Sequence, residues 1–296
     1  MSRATRRVTT RNARFQQWES LLANRSKRHR LGEFLVHGVR PITLALRHEW
    51  PLSALLHRDD RALSSWAREA LAGSDAEQLA LAPDLMQALA DRDAPAGSDA
   101  DVPELLAVAR IPPPDLARID LGRDGLVVVF DRPSSPGNLG TLIRSADAFG
   151  ARGVVVCGHA ADLWDPRTVR ASTGSLFALP CVPAAATQDV LRWVERGPGP
   201  VAVVGTDETG PTALPEAELR GPTLLVVGNE TAGMSAGWRD ACTQVVRIPI
   251  GGDASSLNAA SAGTVVLYEA ARQRGFPARR AWPSPDGGRI CGHAEL

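Results

Sequence analysis

Lysine is all but missing: Lys27 is the sole lysine among 33 basic residues, and arginine supplies the rest. Tyrosine occurs once, and aromatic residues make up only 5% of the chain. Long apolar runs are also lacking. No stretch approaches the roughly 18 residues of a membrane span, and the opening MSRATRRVTTRNARF has no apolar segment of a secretory signal. The default compartment is therefore the cytoplasm. Four cysteines, Cys157, Cys181, Cys242 and Cys291, lie far apart, with no C-x-x-C and no histidines at ligand spacing. That argues against a disulfide scaffold or a metal site and predicts that each packs as a small apolar side chain. What remains is ordinary for a globular chain: 296 residues, 44% hydrophobic and 22% charged. At roughly 150 residues per domain, about two domains are expected.

The 33 basic and 33 acidic residues cancel overall but are unevenly spread. Residues 1–50 hold 11 basic residues against Glu19, Glu33 and Glu49, a net of +8, which leaves −8 for the remainder. A basic head on an acidic body points to a polyanionic partner. A solvated tail is the plainer alternative.

Periodicity divides the chain. Residues 1–12 read as a basic tail and 13–110 as a compact α/β domain. Within it, Arg14 to Asn24 is helical, with Phe15, Trp18, Leu21 and Leu22 on one stripe. EFLVHGV, SALLH, EQLALA and LLAVAR read as strands. PITLALRH, ALSSWAREALA and DLMQALAD read as helices, the last opened by Asp84 as N-cap. Residues 111–125, with three consecutive prolines, form a linker. From Leu126 the strands are apolar throughout: LVVVF, GVVVC, VAVVG, TLLVVG and QVVRIPI. Such runs indicate a parallel sheet covered on both faces, here over residues 126–275. A last helix from about Asn258 to Arg274 carries Ala259, Ala262, Val266 and Ala270 on one stripe. Residues 276–296 read as a loose tail.

Ligands of open parallel sheets bind beyond the carboxyl ends of the strands, which directs attention to three loops. DRPSSPGNLGTLIRSADAFGA offers Gly137, Gly140 and Asn138 at a turn into a helix, and Arg144 as a forked phosphate donor. Its plainer alternative is a surface pair with Asp147. VVGNETAGMS places Glu230 at the tip of a turn through Gly228, Asn229 and Gly233. IPIGGDASSLNAASAG brings Ser255, Ser256 and Asn258 to the start of the last helix, where capping is the plainer function. Each loop alone is weak, and GNLG is not the dinucleotide fingerprint G-x-G-x-x-G.

Together, and in this order, Asn138 with Arg144 six residues on, then GNETAG, then IPI…SSLNAA resemble the SpoU/TrmH branch of the SPOUT RNA methyltransferases. The resemblance spans about Val127 to Arg274. It implies transfer of a methyl group from S-adenosylmethionine to a ribose 2′-hydroxyl of RNA, by a homodimer whose α/β sheet ends in a deep trefoil knot. Carried over by motif, Asn138, Arg144, Glu230, Ser256 and Asn258 take the reactive and supporting positions. Thr206, Gly228, Asn229, Ile248, Ile250 and Leu257 line the cofactor pocket. The third motif departs from many relatives, with Ala259, Ala260 and Ser261 in place of Val, Ser and Val. The N-terminal half looks like the L30e-type RNA-binding domain of members that modify ribosomal RNA, and the head is similar to that of a 23S rRNA enzyme conferring antibiotic resistance. Housekeeping relatives share this architecture. Trp18 and His29 are candidate base-stacking residues, with Trp18 also on the apolar stripe. Transfer RNA as substrate and a catalytically silent RNA-binding protein stay open. A nicotinamide-dependent dehydrogenase fails, because no acidic residue follows a G-x-G-x-x-G at the ribose-binding distance.

Overall fold

Side-chain capping sets the first boundaries of the chain. In the computed structural model, which describes residues 6–90, 102–276 and 278, strand β1 (Arg6–Val8) is followed by helix α1 (Ala13–Ala23). The Asn12 side chain accepts from the Phe15 N–H and opens α1, whose buried stripe is Phe15, Trp18 and Leu21. Asn24 ends α1 and caps α2 (Arg25–Leu31) by accepting from the Lys27 N–H; Gly32, at φ 66°, closes α2 in the left-handed region. Then come β2 (Glu33–His37), α3 (Val39–Arg47), β3 (Leu52–Arg58), α4 (Ser65–Ala72), β4 (Glu77–Leu81), α5 (Pro83–Leu89) and β5 (Leu105–Arg110). The sheet order is β1-β4-β3-β5-β2, with β5 antiparallel to both its neighbours.

The second sheet is built from β6 (Leu126–Asp131), α6 (Pro136–Ala148), β7 (Gly153–Cys157), α7 (Pro166–Ala171), α8 (Ser175–Ala178), β8 (Cys181–Ala184), α9 (Thr187–Glu195), β9 (Ala202–Thr206), β10 (Thr212–Ala213), β11 (Thr223–Val227), α10 (Ala236–Ala241), β12 (Gln244–Arg247) and α11 (Ala259–Gln273). Its order is β10-β12-β9-β11-β6-β7-β8, and every pair is parallel. The apolar runs are explained by burial: every residue of β6, β7 and β11 is buried. After β8 the chain crosses from one flank of β6 to the other, so the carboxyl ends of β6, β11, β9 and β12 meet at a topological switch point.

Several sequence expectations are corrected. Arg6–Val8, read as tail, pairs with β4, and its only inward side chain is Val8, too little for a periodic signal. Strand β8 went unread because Pro183 interrupts CVPA; the proline is tolerated because β8 is the edge strand. QVVRIPI leaves the sheet after Arg247. Helix α5 is capped at Ala82 with Pro83 as its first residue, so Asp84 lies in the first turn and acts on the helix dipole instead. The buried face of α11 is Ala260, Gly263, Val266, Leu267, Ala270 and Ala271, rotated from the expected stripe. Within residues 111–125, Ile119 and Leu121 are buried against the second sheet, so this segment is a packed strap. Cys157 and Cys181 are buried as expected and Cys242 partly so, while Cys291 lies outside the described residues.

The two halves share one core. Phe34 of β2 lies 5.0 Å from Trp164 between ring centroids, and Trp50 meets Phe177 edge-on at 5.2 Å. Beside this cluster Arg28 is 1% exposed. Its Nε donates to Asp162 Oδ2 at 2.8 Å and its Nη1 to the Leu21 carbonyl at 2.7 Å. Arg25 Nη1 donates to the Ala160 carbonyl at 2.7 Å. Removing one member of a buried pair strands the other charge, at about 3–5 kcal/mol. Arg28→Met is therefore expected to lower the unfolding free energy by about that much. Arg28→Met with Asp162→Leu should recover most of it, as read by urea denaturation in a double-mutant cycle.

Candidate active site

Glu230 stands at the tip of the turn after β11, where its carboxylate gathers the loop that follows β6. Its Oε2 accepts from the Ser134 N–H and from the Ser134 hydroxyl, both at 2.9 Å. Its Oε1 accepts from the Ser135 N–H at 3.1 Å and from Asn138 Nδ2 at 3.0 Å. A carboxylate only accepts, so Asn138 must turn its amide nitrogen toward Glu230 and its oxygen away. That oxygen takes a hydrogen bond from Asn258 Nδ2 at 3.0 Å. Asn258 Oδ1 is thereby left for the first turn of α11, where it accepts from the N–H groups of Ala260 and Ser261 at 3.0 and 3.3 Å. One polar chain thus joins three loops that are far apart in sequence. Capping and the joining of the loops are both carried by Asn258.

Burial alone pushes the Glu230 carboxyl up. The Ser134 N–H, the Asn138 amide, its own N–H and the Ser134 hydroxyl outweigh this and hold it below the usual carboxylate range. The group stays ionised and fully occupied as an acceptor, which suits it to holding loops and not to taking a proton.

A second tie was not anticipated from the sequence. Arg132 adopts φ 52°, a conformation that costs a non-glycine residue about 1–3 kcal/mol. It is held there by both oxygens of buried Asp131, each at 3.2 Å, and by the Gly233 carbonyl, which accepts from Nη2 at 3.1 Å. Asn229 Nδ2 donates to the Arg132 carbonyl at 2.7 Å, and Asp131 also accepts from the Ser235 N–H at 2.7 Å. The turn itself closes by a pair of 3.0 Å bonds between Asn229 and Gly233. A Cβ on Gly228 would lie 2.4 Å from the Gly233 and Met234 backbone, so only glycine fits there.

Beside these loops lies a cavity of about 590 Å³, within the range of small-molecule sites. Thr206, Gly228, Asn229, Ile248, Ile250 and Leu257, the sequence-derived pocket residues, all line it, together with Glu230 and Ser256. Asn138 and Asn258 join the site through Glu230. Arg144 stands apart on α6: it is exposed and makes no hydrogen bond or ion pair with the described residues, and the Asp147 pair does not form. Sequence reasoning missed Asp207, Thr209 and Arg239, which also line the cavity. The signal was available, since TDETG follows the carboxyl end of β9. Asp207 accepts from the Thr209 N–H and hydroxyl at 3.0 and 2.7 Å and pairs with Arg239 at 3.1 Å. Burial raises the Asp207 carboxyl, but these partners bring it below its ordinary value. Trp18 is core, only 3% exposed, and His29 Nε2 lies 3.2 Å from Asp162.

Comparison with known proteins agrees with this geometry. The model of the SpoU rRNA methylase family matches residues 125–268, and that of the SpoU L30e-like domain matches residues 12–107. The chain is 54% identical to the 23S rRNA (uridine(2479)-2′-O)-methyltransferase of Streptomyces viridochromogenes, over 92% of this chain and 93% of that protein. It is 34% identical to an uncharacterised tRNA/rRNA methyltransferase of Mycobacterium tuberculosis, over 82% and 75% of the two chains. The crystal structure of the SpoU methyltransferase AviRb from S. viridochromogenes with its cofactor AdoMet superposes with a TM-score of 0.84 at 53% identity, covering 89% of this chain and 98% of that one. An AdoMet-bound rRNA methyltransferase from Sinorhizobium meliloti gives 0.79 at 28% identity, over 91% and 98%.

The chain belongs to the SpoU rRNA methylase family. It is an S-adenosylmethionine-dependent RNA ribose 2′-O-methyltransferase. The cavity suits that cofactor: Ile250 and Leu257 are large apolar side chains left 40% and 41% exposed at its wall, and charged groups of both signs line it.

Glu230→Ala should strand the Ser134 and Ser135 N–H groups and the Asn138 amide, costing about 1–3 kcal/mol for each group that water does not reach. Melting temperature and cofactor affinity are both expected to fall. Because the folded-state pKa of Glu230 is depressed, its contribution is complete above the unfolded carboxylate pKa and disappears only as pH falls through the folded value. Calorimetric cofactor titrations down the acid range should show wild-type affinity persisting below the pH at which free glutamate protonates.

Proposed function

We propose that the protein methylates the ribose 2′-hydroxyl of a uridine in 23S rRNA, as a cytoplasmic homodimer. The polar chain Glu230–Asn138–Asn258, which gathers three loops beside a cofactor-sized cavity, carries the reading of the site. Identity of 54% with a 23S rRNA uridine methyltransferase supports the substrate. Such a mark on the ribosome is also the means by which the chain would confer antibiotic resistance.

When bound, S-adenosylmethionine supplies a methyl group on a sulfonium, already a good electrophile. The protein's task is to orient the ribose oxygen toward it and ease the departure of one proton. Arg144 is not the base, since a guanidinium with a pKa above about 12 is not deprotonated in a protein. Exposed and without a partner among the described residues, it is instead available to clamp a phosphate of the target nucleotide and polarise the hydroxyl. The proton leaves to phosphate or water. Asn138, Glu230 and Asn258 fix the loops against which the nucleotide docks, with Ser256 exposed on the cavity wall beside them. Dimer formation is supported by an apolar patch along the outer face of α11. Tyr268 packs on Phe149 at 5.8 Å and on Phe276 at 5.5 Å, while Val265, Tyr268 and Phe276 stay 38–50% exposed. No helix among the described residues is long and apolar enough to cross a membrane.

Transfer of tritiated methyl to 23S, 16S and transfer RNA transcripts, with mapping of alkali-resistant linkages, tests the substrate. Label on a 23S uridine ribose is expected. Alkali-labile linkages would refute ribose modification, label on transfer RNA alone would refute the substrate, and no transfer at all would indicate a silent RNA-binding protein. Arg144→Lys keeps the charge but loses the fork, and kcat should drop at least about tenfold, the loss of one charge-assisted hydrogen bond. A wild-type rate in that variant would remove the clamp from the mechanism. Tyr268→Asp is expected to shift the sedimentation coefficient from dimer to monomer.

A further inference from the structure

Arg239 is the one basic side chain among the described residues that line the cavity, whose acidic lining residues are Asp207, Glu208 and Glu230. S-adenosylmethionine carries two cationic groups, its sulfonium and its ammonium, and a single anionic group, its α-carboxylate. The exposed Glu208 carboxylate of the lining suits the cationic groups. Among the charged side chains of the lining, the Arg239 guanidinium is the one that matches the third.

The Arg239 side chain is held in place without being used up. Its Nε donates to the Met234 carbonyl at 3.2 Å, its Nη2 pairs with Asp207 at 3.1 Å, and it lies over Gly233. Asp207, whose side chain is 13% exposed, is itself fixed by Thr209. Of the five guanidinium N–H groups, those on Nη1 have no partner among the described residues, and the side chain remains half exposed. Two anchors hold the guanidinium in place, and its unpartnered Nη1 edge offers charge-assisted donors to a carboxylate.

We propose that Arg239, oriented by Asp207, binds the α-carboxylate of the cofactor and sets the preference of the cavity for the intact amino-acid end of S-adenosylmethionine. The proposal rests on the cofactor reading given above. Its test is binding, not turnover: calorimetric titration of wild type, Arg239→Gln, Arg239→Lys and Asp207→Asn with S-adenosylmethionine and with its decarboxylated analogue. Wild type should prefer the carboxylated ligand by about tenfold, the order of one charge-assisted hydrogen bond. Arg239→Gln should lose that preference by weakening S-adenosylmethionine alone, Arg239→Lys should keep part of it, and Asp207→Asn should reduce it. An unchanged preference in Arg239→Gln and Asp207→Asn overturns the proposal, as does an equal loss for both ligands. If cofactor affinities stay at wild-type level while RNA retention falls, Arg239 is a phosphate contact and the proposal is again overturned. Failure of wild type to bind S-adenosylmethionine at all would strike the cofactor reading itself, which separates the two.

Discussion

Everything at the carboxyl end of the second sheet depends on one carboxylate being surrounded by donors. Loops after parallel strands diverge, and each carries backbone N–H groups that must find acceptors once water is excluded. Glu230 supplies two oxygens to groups from Ser134, Ser135 and Asn138, and its need for donors dictates how every amide in the chain is turned. Asn138 has one orientation because a carboxylate cannot donate, and Asn258 has one orientation because Asn138 is already committed. A network in which each member leaves its neighbour a single choice is rigid, and a rigid site meets its substrate with little ordering left to do.

The same economy of choice governs the joint between the domains. An RNA-binding module on a flexible tether would raise local substrate concentration without orienting it. Here Phe34, Trp50, Trp164 and Phe177 form one cluster across the boundary, with Arg28 and Asp162 sealed beside it. The segment 111–125 is packed through Ile119 and Leu121 and does not act as a tether. The N-terminal domain is therefore held at a fixed distance and angle from the cavity.

How much of this was legible follows from the range of the interactions. Strands buried on both faces leave continuous apolar runs, so β6, β7, β9 and β11 could be read directly, and the turns with Gly228 and Asn258 were visible as polar interruptions after them. Strand β8, broken by Pro183, and β1, with one inward residue, leave no such trace. Arg28 and Asp162 are 134 positions apart, and neither is marked locally as buried. Arg132 is harder still: its neighbours suggest a surface residue, and only the Gly233 carbonyl, 101 positions on, explains why an arginine holds a left-handed backbone. Asp207 lies where the rule about strand ends points, but its loop leads into the short strand β10 and not into a helix, and it carries a single glycine, so it lacks the joint glycine and helix-start signal of the other three loops. Arg144 reverses the pattern. It is singled out by motif, and folding leaves its side chain exposed and without a partner among the described residues, the observation on which the proposed clamp rests.

That contrast separates two kinds of polar residue in the site. Glu230, Asn138 and Asn258 are satisfied within the protein, and the Glu230 carboxyl lies below its ordinary range; such groups cannot exchange protons near neutrality without breaking the loops apart. Arg144 and the free edge of Arg239 are unsatisfied, and both are always cationic. The reaction needs a proton to leave a sugar hydroxyl, yet Glu230 and Asp207 are committed to their neighbours and the arginines cannot change charge. The clamp reading proposed for Arg144 accordingly assigns catalysis to placement and to the field of fixed cations. A site of this kind gains little from tuned acid–base groups and much from rigidity, which is what the carboxylate at its centre provides.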